Sequence, residues 1–405
     1  KKYIGSLVSM IPDHEDCHES YAQHHLEEYL KIIKQFIFED IEVFSMTEEY
    51  KKGSFATYIK KLIENVELIR EIQNKYRTNP LKKNWNPWSP LCENCSKIIT
   101  TKITGFDNEN GTVSYVCADY EFETTTAKGC GHKGNNDPQK ELGKLAYKSE
   151  WSAQWARWRI SCEGAGKEYQ VPNSAFWVNA EICEKVLDFP SPETFFYEHL
   201  MIDSQKMSAS IGNVVYPKDW LEVAPAELLR LFYNKRLMTT RSFSWRDLPN
   251  LYDEYDKIAK VYFNDLKLEN KKEESHYKRL FEVSHGKSIQ KPIELSFSHA
   301  VVIAQIFPDE ESAIKSLEKT GHYNKEQHKF IFERLHKAKM WLKKYAPEEV
   351  KFEVQKHVSK DIELSAKEKE ALHSLASLLK EQDYDEKSLF EECYNICKNL
   401  DLKPQ

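Results

Sequence analysis

The octapeptide Lys206-Met207-Ser208-Ala209-Ser210-Ile211-Gly212-Asn213 decides between the folds open to this chain. A lysine, small hydroxyl residues and a Gly-Asn pair predict a loop that contacts the triphosphate of ATP. The lysine ammonium can offset charge on a departing pyrophosphate, and the serine hydroxyls and backbone N–H groups can add hydrogen bonds. The other glycine-rich candidate, Gly164-Ala165-Gly166-Lys167, lacks the earlier glycine of a Walker A loop. The sequence therefore predicts nucleotide chemistry without a P-loop.

The composition sets limits around this loop. The chain has 405 residues, 40% of them hydrophobic and 30% charged, with a formal net charge of −6 and a pI near 6.2. This length allows two or three domains of roughly 100 to 200 residues each. The charge excludes a protein that holds nucleic acid mainly by a large overall positive charge, although a local basic groove remains open.

Two features of the sequence bear on location. No apolar run reaches the roughly 18 to 20 residues of a membrane-spanning helix, and residues 1–7 lack the apolar run of a secretory signal. The chain has nine cysteines at irregular spacing, which favours a reducing compartment. We therefore expect a cytoplasmic protein without a membrane contact.

Residue types divide the chain unevenly. Eleven of the 13 glycines and eight of the nine tryptophans precede residue 246, and the periodicity beyond it predicts helices. Ser365 and Glu368 form a predicted capping box at the start of one of them. The other predicted elements are helices at 20–38, 55–77 and 325–345, a strand at 41–44, and a hairpin made of 98–104 and Thr112–Cys117.

A cysteine cluster brackets the predicted hairpin. Cys92 and Cys95 form a CxxC knuckle, Cys117 follows the hairpin, and Cys130 and His132 form a second knuckle. Such paired knuckles suit a tetrahedral structural Zn²⁺ in a segment with little apolar content of its own. Five candidates compete for four positions: Cys92, Cys95 and Cys130 are favoured, with Cys117 or His132 completing the set.

A second motif suggests a different class of enzyme. His14, Glu15 and His18 fit the H-E-x-x-H pattern, in which two histidines one helical turn apart hold zinc beside a glutamate base. The motif is short, Pro12-Asp13 precedes it directly, and no third ligand stands out downstream. A zinc metallohydrolase is therefore the least favoured alternative.

The loop of residues 206–213 resembles the KMSKS loop of class I aminoacyl-tRNA synthetases, and its surroundings narrow the resemblance. Further stretches occur in the order found in the class I lysyl-tRNA synthetases of archaea and some bacteria. These are Cys17-His18-Glu19-Ser20-Tyr21-Ala22, Trp151 with Trp155, Glu163-Gly164-Ala165-Gly166-Lys167-Glu168, Tyr197-Glu198, and Leu251-Tyr252-Asp253-Glu254-Tyr255-Asp256. The resemblance spans residues 3–264, and the helical tail is similar to the family's anticodon-binding region.

The resemblance implies an α/β fold in four parts. Residues 1–90 and 146–245 would form the Rossmann-like class I catalytic domain, the latter with the KMSKS-like loop. Residues 91–145 would form a zinc-ribbon-like insertion, and 246–405 an α-helical region that binds the tRNA anticodon. We expect the family's HIGH-type motif upstream of Lys1, so that this catalytic domain is incomplete, and the tail to stop before the family's final segment.

The resemblance also implies a function, that of a lysine-tRNA ligase. Lysine and ATP, with Mg²⁺, would give lysyl-adenylate and pyrophosphate, and the lysyl group would then pass to the 3′-terminal adenosine of tRNA(Lys). Lys206, Ser208 and Ser210 would act on the phosphates, with Met207 and Gly212 completing the ATP-binding loop. Trp155, Glu168 and Tyr197 would line the pocket for lysine and the adenylate.

Several positions depart from the family pattern. Ala209 and Ile211 stand where the KMSKS loop commonly has lysines, Tyr169 replaces an expected histidine of the pocket, and Gln154 replaces an expected arginine. Residues 172–174 (Pro-Asn-Ser) replace a glycine-rich turn. A catalytically silent paralogue that still binds tRNA is therefore the main alternative, and we expect weak or no activity from these 405 residues in isolation.

Overall fold

The computed structural model describes residues 2–107, 109–140, 142–208, 212–286, 289–307, 309–355, 357 and 362–403. The chain divides into two compact units, Lys1–Val350 and Lys351–Gln405. Within the described ranges, none of the helices combines the length and apolar character needed to cross a lipid bilayer.

The front of the first unit is helical. Ser20 begins the first helix, because its hydroxyl accepts a hydrogen bond from the backbone N–H of Gln23. Asn65, at φ −108° and ψ 27°, separates two short helices whose apolar faces are buried. The helices are α1 (Tyr21–Ile33), α2 (Met46–Lys51), α3 (Ala56–Glu64) and α4 (Val66–Asn74).

Short antiparallel strands follow. The strands are β1 (Trp88–Pro90), β2 (Thr101–Asp107), β3 (Thr112–Cys117), β4 (Tyr120–Glu121), β5 (Thr126–Ala127), β6 (Lys133–Asn136) and β7 (Gly143–Leu145). β3 lies between β2 and β6, and β4 pairs with β5. β1 pairs with β7 and so closes the base of this segment, where Gly143 lies against the indole of Trp88. A Cβ at residue 143 would lie 2.2 Å from that ring, so the strand pair requires glycine there.

A parallel strand pair follows the antiparallel segment. Its elements are α5 (Tyr147–Trp158), β8 (Cys162–Gly166), α6 (Ala175–Lys185) and β9 (Glu193–Tyr197), and β8 runs parallel to β9. The connection through α6 is the helical crossover that parallel strands need. Buried apolar side chains from α3 to α6, among them Phe55, Trp155 and Phe176, form one continuous core.

A second small sheet carries the KMSKS-like loop. Its elements, with two helices, are β10 (Leu200–Ile202), β11 (Gln205–Lys206), α7 (Pro217–Val223), α8 (Ala226–Asn234) and β12 (Arg241–Phe243). β10 lies in the middle, antiparallel to β11 and parallel to β12. Asp203 and Ser204, at φ +48° and +65°, form the tight turn between β10 and β11.

After Phe243, all the secondary-structure elements in the described part of the chain are helices. The first unit ends with α9 (Leu248–Tyr262), α10 (Lys271–His285), α11 (Phe297–Ile306), α12 (Glu310–Lys319) and α13 (His328–Lys344). Tyr252 stacks on Phe297 at 4.0 Å between ring centroids, in a core that also contains Trp341. The second unit contains α14 (Ala366–Glu381) and α15 (Glu386–Asn399), and the capping box of Ser365 and Glu368 is confirmed.

The mixed α/β class is confirmed, and four local predictions are wrong. The predicted strand at 41–44 is irregular, since no strand among the described residues pairs with it, and Phe44 stacks on Trp158 instead. The helix predicted at 20–38 ends at Ile33, and the one predicted at 55–77 is interrupted at Asn65. The first hairpin strand begins at Thr101, three residues later than predicted.

Candidate active site and metal centres

The carboxyl ends of β8 and β9 bring two sequence-predicted site residues to one edge. Gly166 is paired with Tyr197 at the end of this ladder. Glu168 follows one strand in a short 3₁₀ turn, and the Tyr197 side chain is 54% exposed at the end of the other. A Cβ on Gly166 would lie 2.6 Å from a Glu168 carboxylate oxygen, so the glycine lets that carboxylate fold back over the strand end. Ligands of open α/β sheets bind beyond such strand ends.

A charged network fixes the chain immediately after β9. The Lys167 Nζ lies 2.6 Å from the Glu198 Oε2, and the Thr240 hydroxyl donates to the same oxygen at 2.9 Å. These hydrogen bonds, first that from Lys167, lower the pKa of Glu198. His199 Nε2 lies 3.9 Å from the Glu168 Oε2. The edge therefore presents two carboxylates, of which Glu198 is firmly held.

The KMSKS-like loop starts from the same edge. β10 begins three residues after Tyr197 and pairs Met201 with Lys206. The Asn213 Oδ1 accepts a hydrogen bond from the Ser208 backbone N–H at 2.8 Å, and its Nδ2 donates to the Lys206 carbonyl at 3.1 Å. The Gly212 N–H donates to the Ser208 carbonyl at 3.1 Å, with Gly212 at φ +79°. The loop is thus closed on itself, with the Lys206 side chain exposed.

Two other loop residues have different positions. Met207 packs against the helical core, and its sulfur accepts the backbone N–H of Val215 at 3.5 Å. Ser210, which the sequence predicts to act on the phosphates, lies outside the described residues. Met207 can therefore anchor one end of the loop while the exposed Lys206 faces solvent.

An aromatic cluster stands behind the strand ends. Trp155 is 1% exposed, and its indole N–H donates to the Glu163 carboxylate at 3.1 Å. Trp151 joins it at 5.0 Å and also contacts Tyr169, whose hydroxyl lies 3.2 Å from that of Tyr147. Trp155 is thus a core residue in this conformation, and its place in a substrate pocket stays a prediction.

Four thiols converge in the antiparallel segment. The Sγ atoms of Cys92, Cys95, Cys117 and Cys130 all lie within 4.8 Å of one another. The Cys92–Cys130 and Cys95–Cys117 pairs are each 3.6 Å apart. Tetrahedral zinc with Zn–S bonds of about 2.3 Å places its sulfurs about 3.8 Å apart, so this group fits zinc closely.

The electrostatics of these thiols differ across the group. Burial raises the pKa of Cys92, and it raises that of Cys95 to about 12. Hydrogen bonds from the Asn94 side chain and the His132 backbone lower the pKa of Cys130 to about 6. A bound cation would displace the remaining thiol protons, as zinc does in closed cysteine sites.

His132 is not part of the four-thiol group. Its Nε2 atom is buried without a hydrogen-bond partner in the structure, and lies 3.6 Å from the Glu93 carboxylate. Among the described residues, the group at this place consists of the four cysteines. The sequence left the fourth ligand open between Cys117 and His132, and the geometry favours Cys117.

A second group of metal-binding side chains precedes α1. The donor atoms of Asp13, Cys17, His18 and His24 lie within 4.8 Å of one another. The Cys17 Sγ is 3.2 Å from the Asp13 Oδ2, 3.0 Å from the His18 Nδ1 and 3.2 Å from the His24 Nδ1. One oxygen, one sulfur and two imidazole nitrogens at such distances are a donor set typical of tetrahedral zinc.

The surroundings of this group favour the ionised form of Asp13. Burial by itself would raise the pKa of Asp13. Hydrogen bonds from the Cys17 thiol and from the backbone N–H groups of Glu15, His18 and Cys17 outweigh this effect, and the pKa is lowered. The other ring nitrogen of His18 lies 3.2 Å from the Glu27 carboxylate. Metal-bound histidines commonly donate their second N–H to such a carboxylate.

The same geometry contradicts the H-E-x-x-H interpretation. Residues 14–20 form bends rather than a helix, because α1 begins only at Tyr21. His14 and His18 are therefore not one helical turn apart on a common face, and the His14 side chain is 56% exposed outside the Asp13 group. The metallohydrolase alternative, with His14 and His18 as ligands and Glu15 as base, is wrong.

The sequence reasoning missed some of these residues. The sequence pattern did not identify Asp13 and His24 as partners of Cys17 and His18, although four metal-binding residues within twelve positions are a usable signal. In the sequence, Glu198 stands out only as part of the Tyr197-Glu198 stretch that resembles the family. Its partner Thr240 lies 42 residues away, a pairing that no local pattern predicts.

Comparison with known proteins gives consistent matches. Residues 1–287 match the family model described as tRNA synthetases class I (K). A lysine–tRNA ligase of Methanocaldococcus jannaschii is 30% identical over 425 residues, which cover 100% of this chain and 78% of the relative. A lysine–tRNA ligase of Methanosphaera stadtmanae is 28% identical, with 100% and 77% covered. One from Pyrococcus furiosus is 33% identical, with 87% and 67% covered.

Proposed function

The chain belongs to the class I tRNA synthetases of the lysine type, and on that premise we propose that it is a lysine–tRNA ligase. Lysine and ATP would give lysyl-adenylate and pyrophosphate, and the lysyl group would pass to the 3′-terminal adenosine of tRNA(Lys). The observation that carries the proposal is the closed loop of Lys206, Ser208 and Asn213, which leaves the edge where β9 ends.

In the first step, a lysine carboxylate oxygen attacks the α-phosphorus of ATP, and the bond to pyrophosphate breaks. The exposed Lys206 ammonium and the Ser208 hydroxyl are the groups we assign to the charge that builds on the leaving pyrophosphate, together with Ser210. Gly212 at φ +79° supports this role, because the left-handed conformation that glycine adopts without strain can turn backbone N–H groups toward phosphate oxygens. No covalent enzyme intermediate is needed, so positioning and electrostatics would carry the catalysis.

The substrate lysine needs a carboxylate for its ammonium group. Glu168 and Tyr197 at the two adjacent strand ends are our candidates, and an aromatic face beside a carboxylate suits an alkylammonium ion. The Glu198 carboxylate already pairs with Lys167, so Glu168, whose side chain is 56% exposed, is the more accessible of the two. Trp155 would act from behind this pocket through its contact with Glu163.

The proposal includes metals. The four thiols of Cys92, Cys95, Cys117 and Cys130 would hold a structural Zn²⁺ in a zinc-ribbon-like insertion, because four protein ligands leave no open position for chemistry. Asp13, with Cys17, His18 and His24, would hold a second zinc ion. Mg²⁺ would accompany ATP as part of the substrate.

Location and tRNA contacts complete the proposal. We include a cytoplasmic location, because all nine cysteines are unpaired thiols, as is typical of a reducing compartment. Residues 246–405 would read the tRNA anticodon, where aromatic side chains can stack on unpaired bases.

The test is lysine-dependent exchange of pyrophosphate into ATP, measured on the complete gene product with saturating tRNA present. We expect exchange that Lys206→Ala abolishes and that His14→Ala leaves unchanged. Tight, salt-sensitive tRNA binding without any exchange would instead identify a silent paralogue, which the departures at Gln154 and Tyr169 would then explain.

A further inference from the structure

A cavity of about 290 Å³ lies among the helices that follow the KMSKS-like loop. It is bounded by α8, α9, the end of α10 and α13, and no described residue of the loop lines it. Ligand pockets typically measure ~300 to 1,000 Å³, so this one suits a single ring system rather than an extended chain.

The cations of its floor are already neutralised. The buried Arg334 guanidinium binds both oxygens of Asp256, at 2.7 and 3.0 Å, and also donates to the Leu295 carbonyl at 2.7 Å. The Lys337 Nζ donates to the Leu221 carbonyl at 2.7 Å and pairs with the Glu333 carboxylate through its Oε1 at 3.4 Å. A free phosphate would therefore find no unpaired cation in this floor.

One wall is polar and uncharged. The His285 Nδ1 lies 2.9 Å from the Phe281 carbonyl, which only accepts, so Nδ1 carries the proton. The Tyr255 hydroxyl then donates to His285 Nε2 at 2.9 Å. Burial lowers the pKa of His285, which keeps the ring neutral at physiological pH.

The mouth of the cavity carries an exposed aromatic ring and polar side chains. Phe330 on α13 is 43% exposed, and the Glu333 side chain, one helical turn away, is 46% exposed. Gln290, which is exposed and lies between α10 and α11, also lines the cavity. An aromatic face is thus combined with groups that accept and donate hydrogen bonds.

We propose that this cavity binds one unpaired nucleobase of the RNA substrate, stacked on Phe330 and hydrogen-bonded by Glu333. The proposal rests on the proposed function, which supplies an RNA ligand. Protein modules recognise RNA mainly through unstacked bases that lie on aromatic rings and bond to polar edges. A neutral planar base fits a pocket of this size whose cations are paired, whereas a phosphate group does not.

The test compares Phe330→Leu with Phe330→Trp in the complete gene product. Val302→Ala is the matched control, since Val302 is 41% exposed on α11 and does not line the cavity. The measurements are the dissociation constant of tRNA(Lys) over a range of salt concentrations, the melting temperature, and lysine-dependent pyrophosphate exchange at saturating tRNA.

We expect Phe330→Leu to raise the tRNA dissociation constant roughly 10-fold, the effect of losing one stacked base. The salt dependence of binding should stay the same, because no phosphate contact is lost. Phe330→Trp, which keeps a stacking face, should bind like the unmodified protein, and Val302→Ala should have no effect.

An unchanged dissociation constant in a folded Phe330→Leu protein would overturn the proposal. So would a changed salt slope, which would identify a phosphate contact, or an equal loss in Phe330→Leu and Phe330→Trp. If the unmodified protein shows no lysine-dependent exchange, the proposed ligase activity fails, while the tRNA dissociation constants still decide the nucleobase pocket.

Discussion

The side chain of Asn213 closes the KMSKS-like loop by accepting the backbone N–H of Ser208 at 2.8 Å. The same side chain donates to the Lys206 carbonyl, so one amide joins the two ends of the loop. If the loop carries Lys206 to the triphosphate, its closure should matter for the use of ATP more than for folding, because Lys206 is exposed and neither Ser208 nor Asn213 is fully buried.

We therefore expect Asn213→Ala to lower kcat/KM for ATP in pyrophosphate exchange roughly 10-fold, because a misplaced loop weakens transition-state contacts. Asn213→Asp keeps the acceptor for Ser208 and should lose less. Asn110→Ala is the control, since Asn110 hydrogen-bonds within a hairpin turn of the antiparallel segment. Equal activity in Asn213→Ala and the control would contradict this role of the loop.

Glu168 offers a second prediction, about lysine selection. Glu168→Gln removes the negative charge and should raise KM for lysine about 10-fold or more, because a charged hydrogen bond to an ammonium becomes a neutral one. KM for ATP should change little. Glu193→Gln is the matched control, since Glu193 is an exposed carboxylate at the opposite end of β9. A similar lysine KM in both variants would assign lysine binding to another carboxylate.

Local signals were enough to predict some elements of the fold. The capping box of Ser365 and Glu368 was correct because capping involves side chains three residues apart. The strand predicted at 41–44 was wrong because a strand exists only when a partner strand pairs with it, and no short pattern encodes that partner. Asn65 interrupts the helix predicted at 55–77 although the apolar period continues across it.

In the candidate site, too, local sequence patterns predict some features, while others depend on contacts between distant segments. The four cysteines were identifiable from knuckle spacing, but the choice between Cys117 and His132 depended on how β3 and β6 bring the knuckles together. Trp155 has the residue type of a pocket wall, and only its burial reveals its place in the core. The link between Glu198 and Thr240 joins distant segments, so it is a property of the fold.

Metal content tests the four-thiol group. Cys95→Ser should release one zinc equivalent per chain and lower the melting temperature, because the antiparallel segment would lose the ion that links its knuckles. Cys162→Ser, which changes an exposed thiol outside the group, should retain all metal. His132→Ala should also retain it. Loss of zinc in His132→Ala, measured by elemental analysis, would contradict a four-cysteine site.

The group around Asp13 predicts a second equivalent. His24→Ala should lower the zinc content by one ion per chain while the four-thiol site stays filled, and Cys17→Ser should do the same. His14→Ala is the control, because His14 lies beside the group without belonging to it. A cobalt-substituted protein should show thiolate absorption from both sites, and Cys17→Ser should remove only part of it. Full zinc content in His24→Ala would show that these side chains form hydrogen bonds only.

The buried pair of Arg334 and Asp256 predicts a large effect on stability. Asp256→Asn leaves a guanidinium buried without its counter-charge, which should lower the free energy of unfolding by about 3 to 5 kcal/mol. Asp265→Asn is the matched control, because Asp265 pairs with Lys291 at 2.9 Å on the surface and should cost at most about 1 kcal/mol. Denaturant unfolding of both variants measures the difference.

Because burial itself disfavours the charge on Asp256 and raises its pKa, replacing both partners by apolar side chains should cost less than Asp256→Asn. Equal losses in Asp256→Asn and Asp265→Asn would show that solvent reaches Arg334 when its partner is removed.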